Sequence, residues 1–150
     1  MCRIVGYLSD EPEWIDSAFV RQYQAHNLGR VGGDTFLTEV LPLPKLDVNA
    51  WPYEALWAIK REYEDSTRPA RVEMLRDLWT DHQPEYMVCY GKTNWDHYRS
   101  IFPHRTFVEH IPGESQISVE QGSTIILMLH FSAWGFTNAA LRRMLEALPD

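Results

Sequence analysis

The sequence predicts an α/β protein: a small, mostly parallel central sheet with helices on both faces, in three α/β/α layers. Short apolar runs at 85–90 and 123–130 are typical of buried strands. Stretches with apolar residues at helical spacing lie between and after these runs, and this alternation favours parallel strands joined by crossover helices. The chain of 150 residues has the size of one domain, spanning 1–150.

The elements are assigned in chain order. Helices are predicted at about 12–25, 53–63, 69–82 and 93–102 and after 137; strands are predicted at 35–41, 85–90 and 123–130, with further short ones near 105–109 and 116–120. The first helix has an apolar stripe through Phe19 and Tyr23, with Asp10 as its cap. Pro69 suits the first turn of the third helix, and Thr137 caps the last helix.

Composition and charge narrow the class of protein. The residues are 45% hydrophobic and 23% charged, as in folded globular domains. The net charge of −7 argues against a protein that coats nucleic acid, but not against an enzyme that grips a few phosphates. No apolar stretch approaches the roughly 20 residues of a membrane span, and the N-terminus lacks the apolar core of a signal peptide. We therefore expect a cytoplasmic protein with no membrane contact.

The loops that follow the strands are where a ligand is expected. In parallel α/β sheets, ligands bind outside the carboxyl ends of the strands. In this chain those ends carry the segments 39–44, 90–94 and 130–136. We expect the three segments to meet in one cleft.

These three segments, in this order, resemble the uracil-DNA glycosylase superfamily, and most closely its bacterial uracil-DNA glycosylase-like branch. Residues 36–44 (FLTEVLPLP) are similar to the family's second strand, which ends in the residue that reads the base. Residues 84–92 (PEYMVCYGK) are similar to its third strand and turn, and residues 129–132 (LHFS) to its His-Pro-Ser motif, with Phe131 in place of proline. The resemblance covers the chain from about residue 22 to its end. It implies hydrolysis of the N-glycosidic bond of a flipped base in DNA.

The resemblance also assigns roles to residues. His130 would be catalytic, because a histidine at a strand end can donate a hydrogen bond to the base as negative charge develops on it. Glu39 and Tyr90 would bind the base. The residues expected to contact DNA or its phosphates are Pro42, Pro44, Gly91, Lys92, Ser132 and Trp134. We expect no metal and no cofactor, because the six histidines show no metal-ligand spacing and two cysteines cannot hold a four-cysteine iron–sulfur cluster.

Two departures from the family bear on activity. Its first motif, a strand and loop that positions the attacking water, has no counterpart here. Three explanations stay open: residues 1–8 replace that strand, the chain is shortened at its N-terminus, or a partner chain completes the sheet. In addition, Glu39 stands where many members have Asn. An ionised carboxylate can only accept hydrogen bonds, so Glu39 would favour a base edge with N–H donors, such as a cytosine-type amine, over uracil.

Each assigned residue also has a purely structural interpretation. His130 could be a strand-end histidine bonded to the backbone, and Ser132 could be a turn hydroxyl. Trp134 could be a wedge that fills the gap in the base stack, or a core residue. Lys92 could be a solvated lysine, because Tyr86 stands where a phosphate-binding loop requires a glycine.

Three classes of function therefore stay open. The first is a DNA glycosylase-like hydrolase. The second is a non-catalytic member of the same fold that binds nucleic acid or protein, which the missing first motif and the acidic net charge favour. The third is a small-nucleotide hydrolase that uses the same crevice. A carboxylate or Asn beside His130 would favour catalysis over binding.

Overall fold

The computed structural model describes residues 1–44, 50–120 and 122–149. Within these ranges the helices are α1 (Cys2–Leu8), α2 (Ser17–His26), α3 (Lys60–His82), α4 (Trp95–Ile101) and α5 (Asn138–Glu146); the strands are β1 (Tyr86–Tyr90), β2 (Val108–Ile111), β3 (Ser115–Glu120) and β4 (Ser123–Met128). One turn of 3-10 helix, Lys92–Asn94, precedes α4. Helices combine with a four-stranded mixed sheet, in agreement with the predicted α/β class.

The sheet has the strand order β1-β4-β3-β2. β1 and β4 are parallel neighbours, paired from Tyr86 with Thr124 to Tyr90 with Met128. β3 is antiparallel both to β4 and to β2. The prediction of a mostly parallel sheet is therefore wrong, because two of the three pairings are antiparallel.

Short connections explain the antiparallel pairs. Residues 112–114 join β2 to β3, and residues 121–122 join β3 to β4. Connections this short can join only antiparallel neighbours, whereas parallel neighbours need a dozen or more residues between them. Gly113, with a φ of 71°, adopts the left-handed backbone that favours glycine in tight turns. The short strands predicted near 105–109 and 116–120 are confirmed, with shifted bounds.

The predicted strand at 35–41 is wrong, since these residues have no regular secondary structure. Pro42 and Pro44 follow directly, and neither has an N–H to give to a sheet ladder. The backbone has another partner, because Arg71 of α3 donates to the carbonyl of Glu39 at 2.5 Å. The segment that carries Glu39 is thus held by a helix and not by the sheet.

The N-terminal helices also differ from the prediction. α2 begins later than predicted, at Ser17, because the carboxylate of Asp16 accepts a hydrogen bond from the amide of Ala18. Asp10, the predicted cap, has a φ of 55°, which is not the extended backbone of an N-cap. Residues 2–8 form α1, so they do not replace a strand of the sheet. That explanation for the missing first motif is wrong.

One long helix stands where two were predicted. Residues 53–59 form turns and a bend, and α3 then continues through Pro69 to its end. The carboxylate of Glu64 forms ion pairs with Lys60 at 3.2 Å and Arg68 at 3.5 Å, which link successive turns of α3 across the gap predicted between residues 63 and 69. Pro69 lies in the interior of α3, so its predicted place in the first turn of a helix is wrong. The buried residues of α3 are Tyr63, Val72 and Leu75. Tertiary packing therefore outweighs the cost of a proline in the helix interior.

The core of the sheet lies around β4, which is buried on both faces. Its odd-numbered residues, Ile125 and Leu127, pack in one cluster with side chains from β1, α3 and α4. Ile126 and Met128 point to the opposite face and are also fully buried. The members of the first cluster are Val72, Leu75, Cys89, Trp95, Ile101, Phe102, Ile125 and Leu127.

The described chain divides into two compact units. One unit, Glu39–Ala133, contains the whole sheet with α3 and α4. The other joins Met1–Thr38 to the segment from Trp134 onward and contains α1, α2 and α5. In the second unit Thr137 caps α5 by accepting from the amide of Ala140, as predicted. A single domain over 1–150 stays a prediction. In the ranges that the structure describes, no helix is both long and apolar enough to cross a membrane.

Candidate functional site

The parallel β1–β4 pair brings two of the three predicted segments to one end of the sheet. Tyr90 is the last residue of β1, and it pairs with Met128, the last residue of β4. Because the two strands run in the same direction, Gly91 and the segment 129–132 leave the sheet side by side.

His130 is exposed, and its ring is oriented by the residue two positions further on. The backbone N–H of Ser132 donates to Nδ1 at 3.1 Å, and the Ser132 hydroxyl lies 2.7 Å from the same nitrogen. A backbone N–H can only donate, so Nδ1 presents its lone pair and the proton of the neutral ring lies on Nε2. The arrangement leaves Nε2–H as a donor on the far side of the ring.

Two aromatic rings lie near the ring of His130. The ring of Tyr90 lies 5.5 Å from that of His130 and 4.9 Å from that of Phe131, measured between centroids. The rings of His130 and Phe131 are 6.3 Å apart. Tyr90 and Phe131 are half-buried, so part of each ring faces outward. Such rings can stack a planar ligand while Nε2–H bonds to its edge.

Hydrogen bonds from α4 and from the turn before it fix the ends of both strands. The carbonyl of Met128 accepts from the amide of Gly91 at 3.0 Å and from the indole of Trp95 at 3.2 Å. The hydroxyl of Tyr98 donates to the carbonyl of Tyr90 at 2.9 Å. Gly91 has a φ of 105°, in the region that favours glycine. The backbone at the ends of β1 and β4 is therefore fixed by hydrogen bonds from α4 and from Gly91.

The segment that carries Glu39 contacts the core although it is not a strand, since Val40 packs against the cluster that includes Cys89 of β1. Burial raises the pKa of Tyr98 to about 12; the neighbouring Cys89 raises it further, a side-chain hydrogen bond from Asn94 lowers it, and Tyr90 and Glu39 each add to the rise. The hydroxyl of Tyr98 bonds to the carbonyl of Tyr90, and Glu39 has the smallest of these effects on the pKa of Tyr98. The Glu39 side chain itself is exposed.

Lys92 has a partner on the sheet's hairpin. Its ammonium donates to the carbonyl of Gly113 at 3.0 Å and lies 5.5 Å from the centre of the Trp95 ring. β3 begins opposite the end of β4, since Ser115 pairs with Met128, so the β2–β3 turn lies at the same end of the sheet. Lys92 is bonded to protein here, and a phosphate would have to share or replace that bond.

The remaining predicted residues are placed as follows. Pro42 and Pro44 lie on the segment after Glu39, and both are exposed. Ser132 is exposed and bonded to His130. Trp134 is fully exposed, at 101% of its reference area, so the core interpretation of this residue is wrong. Trp134 belongs to the other compact unit, so it is not included in the site formed by Tyr90, His130 and Ser132.

Sequence reasoning missed three contributors to this site. Trp95 and Tyr98 hold the strand ends, and Arg71 holds the carbonyl of Glu39. Their partners are 33, 8 and 32 residues away, and no local pattern marks such contacts. The position of the β2–β3 turn was foreseeable, because Pro-Gly between two short apolar runs is a hairpin signal.

Metal-ligand geometry and cavities point to no other centre in this region. Among the described residues, no three His, Cys, Asp or Glu side chains are grouped so that they could hold a metal ion. A cavity of about 300 Å³ lies against α3 and α4, and its lining residues are Asp65, Arg68, Pro69, Val72 and Ser100. None of these residues belongs to the segments described above. Comparisons of the chain with protein-family models, with curated proteins and with solved structures gave no match.

Proposed function

We propose that this chain is a DNA base glycosylase-like hydrolase that receives an extruded base at the ends of β1 and β4. The observation that carries the proposal is the ring state of His130: Nδ1 accepts from the Ser132 amide, so Nε2–H is a donor beside the rings of Tyr90 and Phe131. A flipped base needs a stacking surface and donors or acceptors for its edge. Both are present within one group of side chains.

The reaction is the hydrolysis of an N-glycosidic bond. The bond between the sugar carbon and the base nitrogen breaks, and the base leaves with the bonding electrons. A water molecule adds to the sugar carbon, and its proton balances the charge of the departing base. A hydrogen bond from His130 Nε2 to a base carbonyl oxygen strengthens as negative charge develops there. In this proposal Glu39 reads the base edge, and, as an acceptor, it selects bases with an amino group.

We also propose that the chain is related to the uracil-DNA glycosylase superfamily and shares its three-layer α/β/α arrangement. The proposed location is the cytoplasm. The parallel β1–β4 pair, which brings Tyr90 and His130 to the same end of the sheet, supports the proposed relationship. The antiparallel β3 and the irregular segment 35–41 depart from the expected pattern. A strand that completes the sheet, from a partner chain or from a longer chain, would pair along β1, which is an edge strand in the described sheet.

The test is an excision assay. Single- and double-stranded oligonucleotides, each with one uracil, one cytosine-type or one other amino-bearing base, are incubated with the chain and with His130→Ala. We expect release of an amino-bearing base, and a rate about 10²–10³-fold lower in His130→Ala, as for removal of one donor to a developing negative charge. His104→Ala, an exposed histidine outside the site, is the matched control and should retain full activity.

A second candidate, a non-catalytic nucleic-acid-binding protein, is favoured by one specific observation. In the described part of the chain, the hydrogen bonds of the His130 ring go to Ser132, and no carboxylate or amide side chain bonds to that ring. The same oligonucleotides separate the two candidates. Binding that depends on Tyr90, with no base released under any condition, would establish the second. Release of a base from free nucleotides, but not from DNA, would establish the third option, a small-nucleotide hydrolase.

A further inference from the structure

The segment 39–44 is anchored although it belongs to no sheet. Three side chains bond to its backbone: Arg71 to the carbonyl of Glu39, Tyr63 to the amide of Leu43, and Tyr53 to the carbonyl of Pro44. In a β-strand, these backbone groups would form hydrogen bonds with neighbouring strands. The conformation of the segment is therefore set from outside, by side chains.

Two of these anchors are rigid because aromatic packing holds them. Tyr63 is 5% exposed, and its ring lies 5.1 Å from that of Trp57 and 5.6 Å from that of Trp51. Trp51 is fixed in turn by its indole, which donates to the carbonyl of Trp57 at 2.9 Å, and its ring contacts that of Tyr53 at 5.4 Å. The far end of the segment is thus fixed through an aromatic cluster.

The near end depends on Arg71. Its guanidinium reaches from α3 to the carbonyl of Glu39, and its other terminal nitrogen lies 3.1 Å from the sulfur of Met74. Val40, the next residue, packs against the core cluster. A bond at residue 39 itself sets the direction in which the Glu39 side chain leaves the backbone, whereas the tyrosines act four and five residues further on.

We infer that Arg71 is a positioning residue, which fixes the backbone at Glu39 and with it the direction in which the Glu39 side chain leaves the segment. The inference rests on the proposed function, because in that function the anchored segment presents a carboxylate to the edge of a base. Arg71 itself touches no ligand. Loss of the Arg71 side chain lowers the preference between bases more than it lowers the affinity for the oligonucleotide, because stacking on Tyr90 and the hydrogen bond from His130 do not depend on Arg71.

The experiment compares Arg71→Met, Arg71→Lys and Arg76→Met in the full chain. Arg76 is the matched control: it lies on the same helix and donates to the carbonyls of Ile101 and Ser100, at 3.1 Å and 2.6 Å, but not to the segment 39–44. The first readout is the backbone order parameter of residues 39 and 40 by NMR. The second is the ratio of affinities for oligonucleotides with an amino-bearing base and with uracil.

In Arg71→Met we expect the order parameters to fall from about 0.85 to below about 0.6, and the preference for the amino-bearing base to fall about tenfold or more. Arg71→Lys should restore part of both, because lysine supplies a donor without the planar fork of arginine. Arg76→Met should change neither. Unchanged order parameters in Arg71→Met, or equal losses in Arg76→Met, would overturn the inference.

The two readouts keep this inference separate from the proposed function. If the unsubstituted chain shows no preference between bases, base reading by Glu39 is refuted. In that case the order parameters of residues 39 and 40 still show whether Arg71 anchors the segment. If the preference exists and survives in Arg71→Met although residues 39 and 40 become mobile, Glu39 does not need Arg71 and the positioning role is refuted.

Discussion

At the end of β4, one backbone amide determines which nitrogen of His130 carries the proton. The amide of Ser132 donates to Nδ1, and this local contact spans only two residues, so it forms wherever the turn forms. The donor on Nε2 then stands beside the Tyr90 ring, with the two ring centroids 5.5 Å apart. A strand-end histidine bonded to the backbone was the structural interpretation of this residue. The bond found here also prepares the opposite nitrogen to donate.

The ring state can be measured directly. In nitrogen-15 NMR spectra of the neutral imidazole, we expect Nδ1 of His130 to be unprotonated and Nε2 to be protonated. Ser132→Ala removes the hydroxyl but keeps the amide, so this tautomer should persist in that variant. A protonated Nδ1 in the unsubstituted chain would contradict the hydrogen-bond assignment on which the proposed function depends.

Cys89 shows the opposite case, a residue whose environment suppresses chemistry. Burial raises the pKa of its thiol to about 12, so almost no thiolate forms at neutral pH. The folded pKa lies above the ordinary thiol value of about 8.5. Burial of the neutral thiol therefore stabilises the fold below about pH 8.5, and this contribution is lost as the pH rises through about 12.

We accordingly expect Cys89 to resist a thiol-specific reagent at about pH 8 in the folded chain and to react rapidly in denaturant. Cys2 is also buried and provides the internal comparison. Labelling is located by mass spectrometry of the digested protein. Fast modification of Cys89 without denaturant would show that the β1–α3 side of the core is open.

Sequence reasoning found the residues that follow strands and missed those that support them. Tyr90, Gly91 and His130 were chosen because strand ends of α/β sheets carry ligands, and the parallel pair brings them together. Trp95 and Arg71 act by donating to backbone carbonyls far along the chain. Every residue offers a carbonyl, so neither side chain could be linked to its partner before the fold was known.

At the scale of elements, the sequence predicted which segments form helices and strands better than it predicted how the strands pair and where each element begins and ends. The strand at 35–41 was predicted from β-branched and apolar residues, but the prolines after it and the side-chain anchors along it outweigh that pattern. The gap predicted between helices at residues 63 and 69 does not occur, since burial of Tyr63 and Val72 on either side holds α3 together. Propensity is a weak guide wherever tertiary packing opposes it.

Pro69 should make α3 less stable than it could be. A proline in a helix interior has no N–H for the carbonyl of residue i−4, here Asp65, and costs roughly 3 kcal/mol relative to alanine. We expect Pro69→Ala to raise the free energy of unfolding by about 1–3 kcal/mol, measured by urea denaturation. Pro84→Ala, beyond the end of α3, should change it by less than about 1 kcal/mol. A loss of stability in Pro69→Ala would show that the proline ring is needed where it packs.

At the scale of the whole molecule, the net charge of −7 limits how nucleic acid can be bound. A chain with this charge repels a phosphate backbone at long range, so binding has to come from a few local contacts and from stacking. Lys92 is one candidate contact, yet it already donates to Gly113. We therefore expect stacking on Tyr90 and Phe131 to contribute more to affinity than charge does.

Salt dependence tests this balance. A protein that neutralises one to three phosphates gives a slope of log K against log salt of about −0.9 per duplex phosphate, so we expect a slope between about −1 and −3. Fluorescence anisotropy of a labelled oligonucleotide between low and physiological salt measures it. Tyr90→Ala should weaken binding about tenfold or more, in keeping with the loss of one stacked base, and leave the slope unchanged. A slope much steeper than about −3 would indicate extensive phosphate contacts and refute this mode of binding.

The most direct measurement is a crystal structure of the chain with an oligonucleotide that carries an amino-bearing base on a non-hydrolysable 2′-fluorinated sugar. The account predicts the extruded base stacked on Tyr90 and Phe131, with His130 Nε2 about 2.7–3.2 Å from a base carbonyl oxygen and the Glu39 carboxylate accepting from the amino group. A base that stays in the nucleic-acid stack, or that binds away from the ends of β1 and β4, would contradict it.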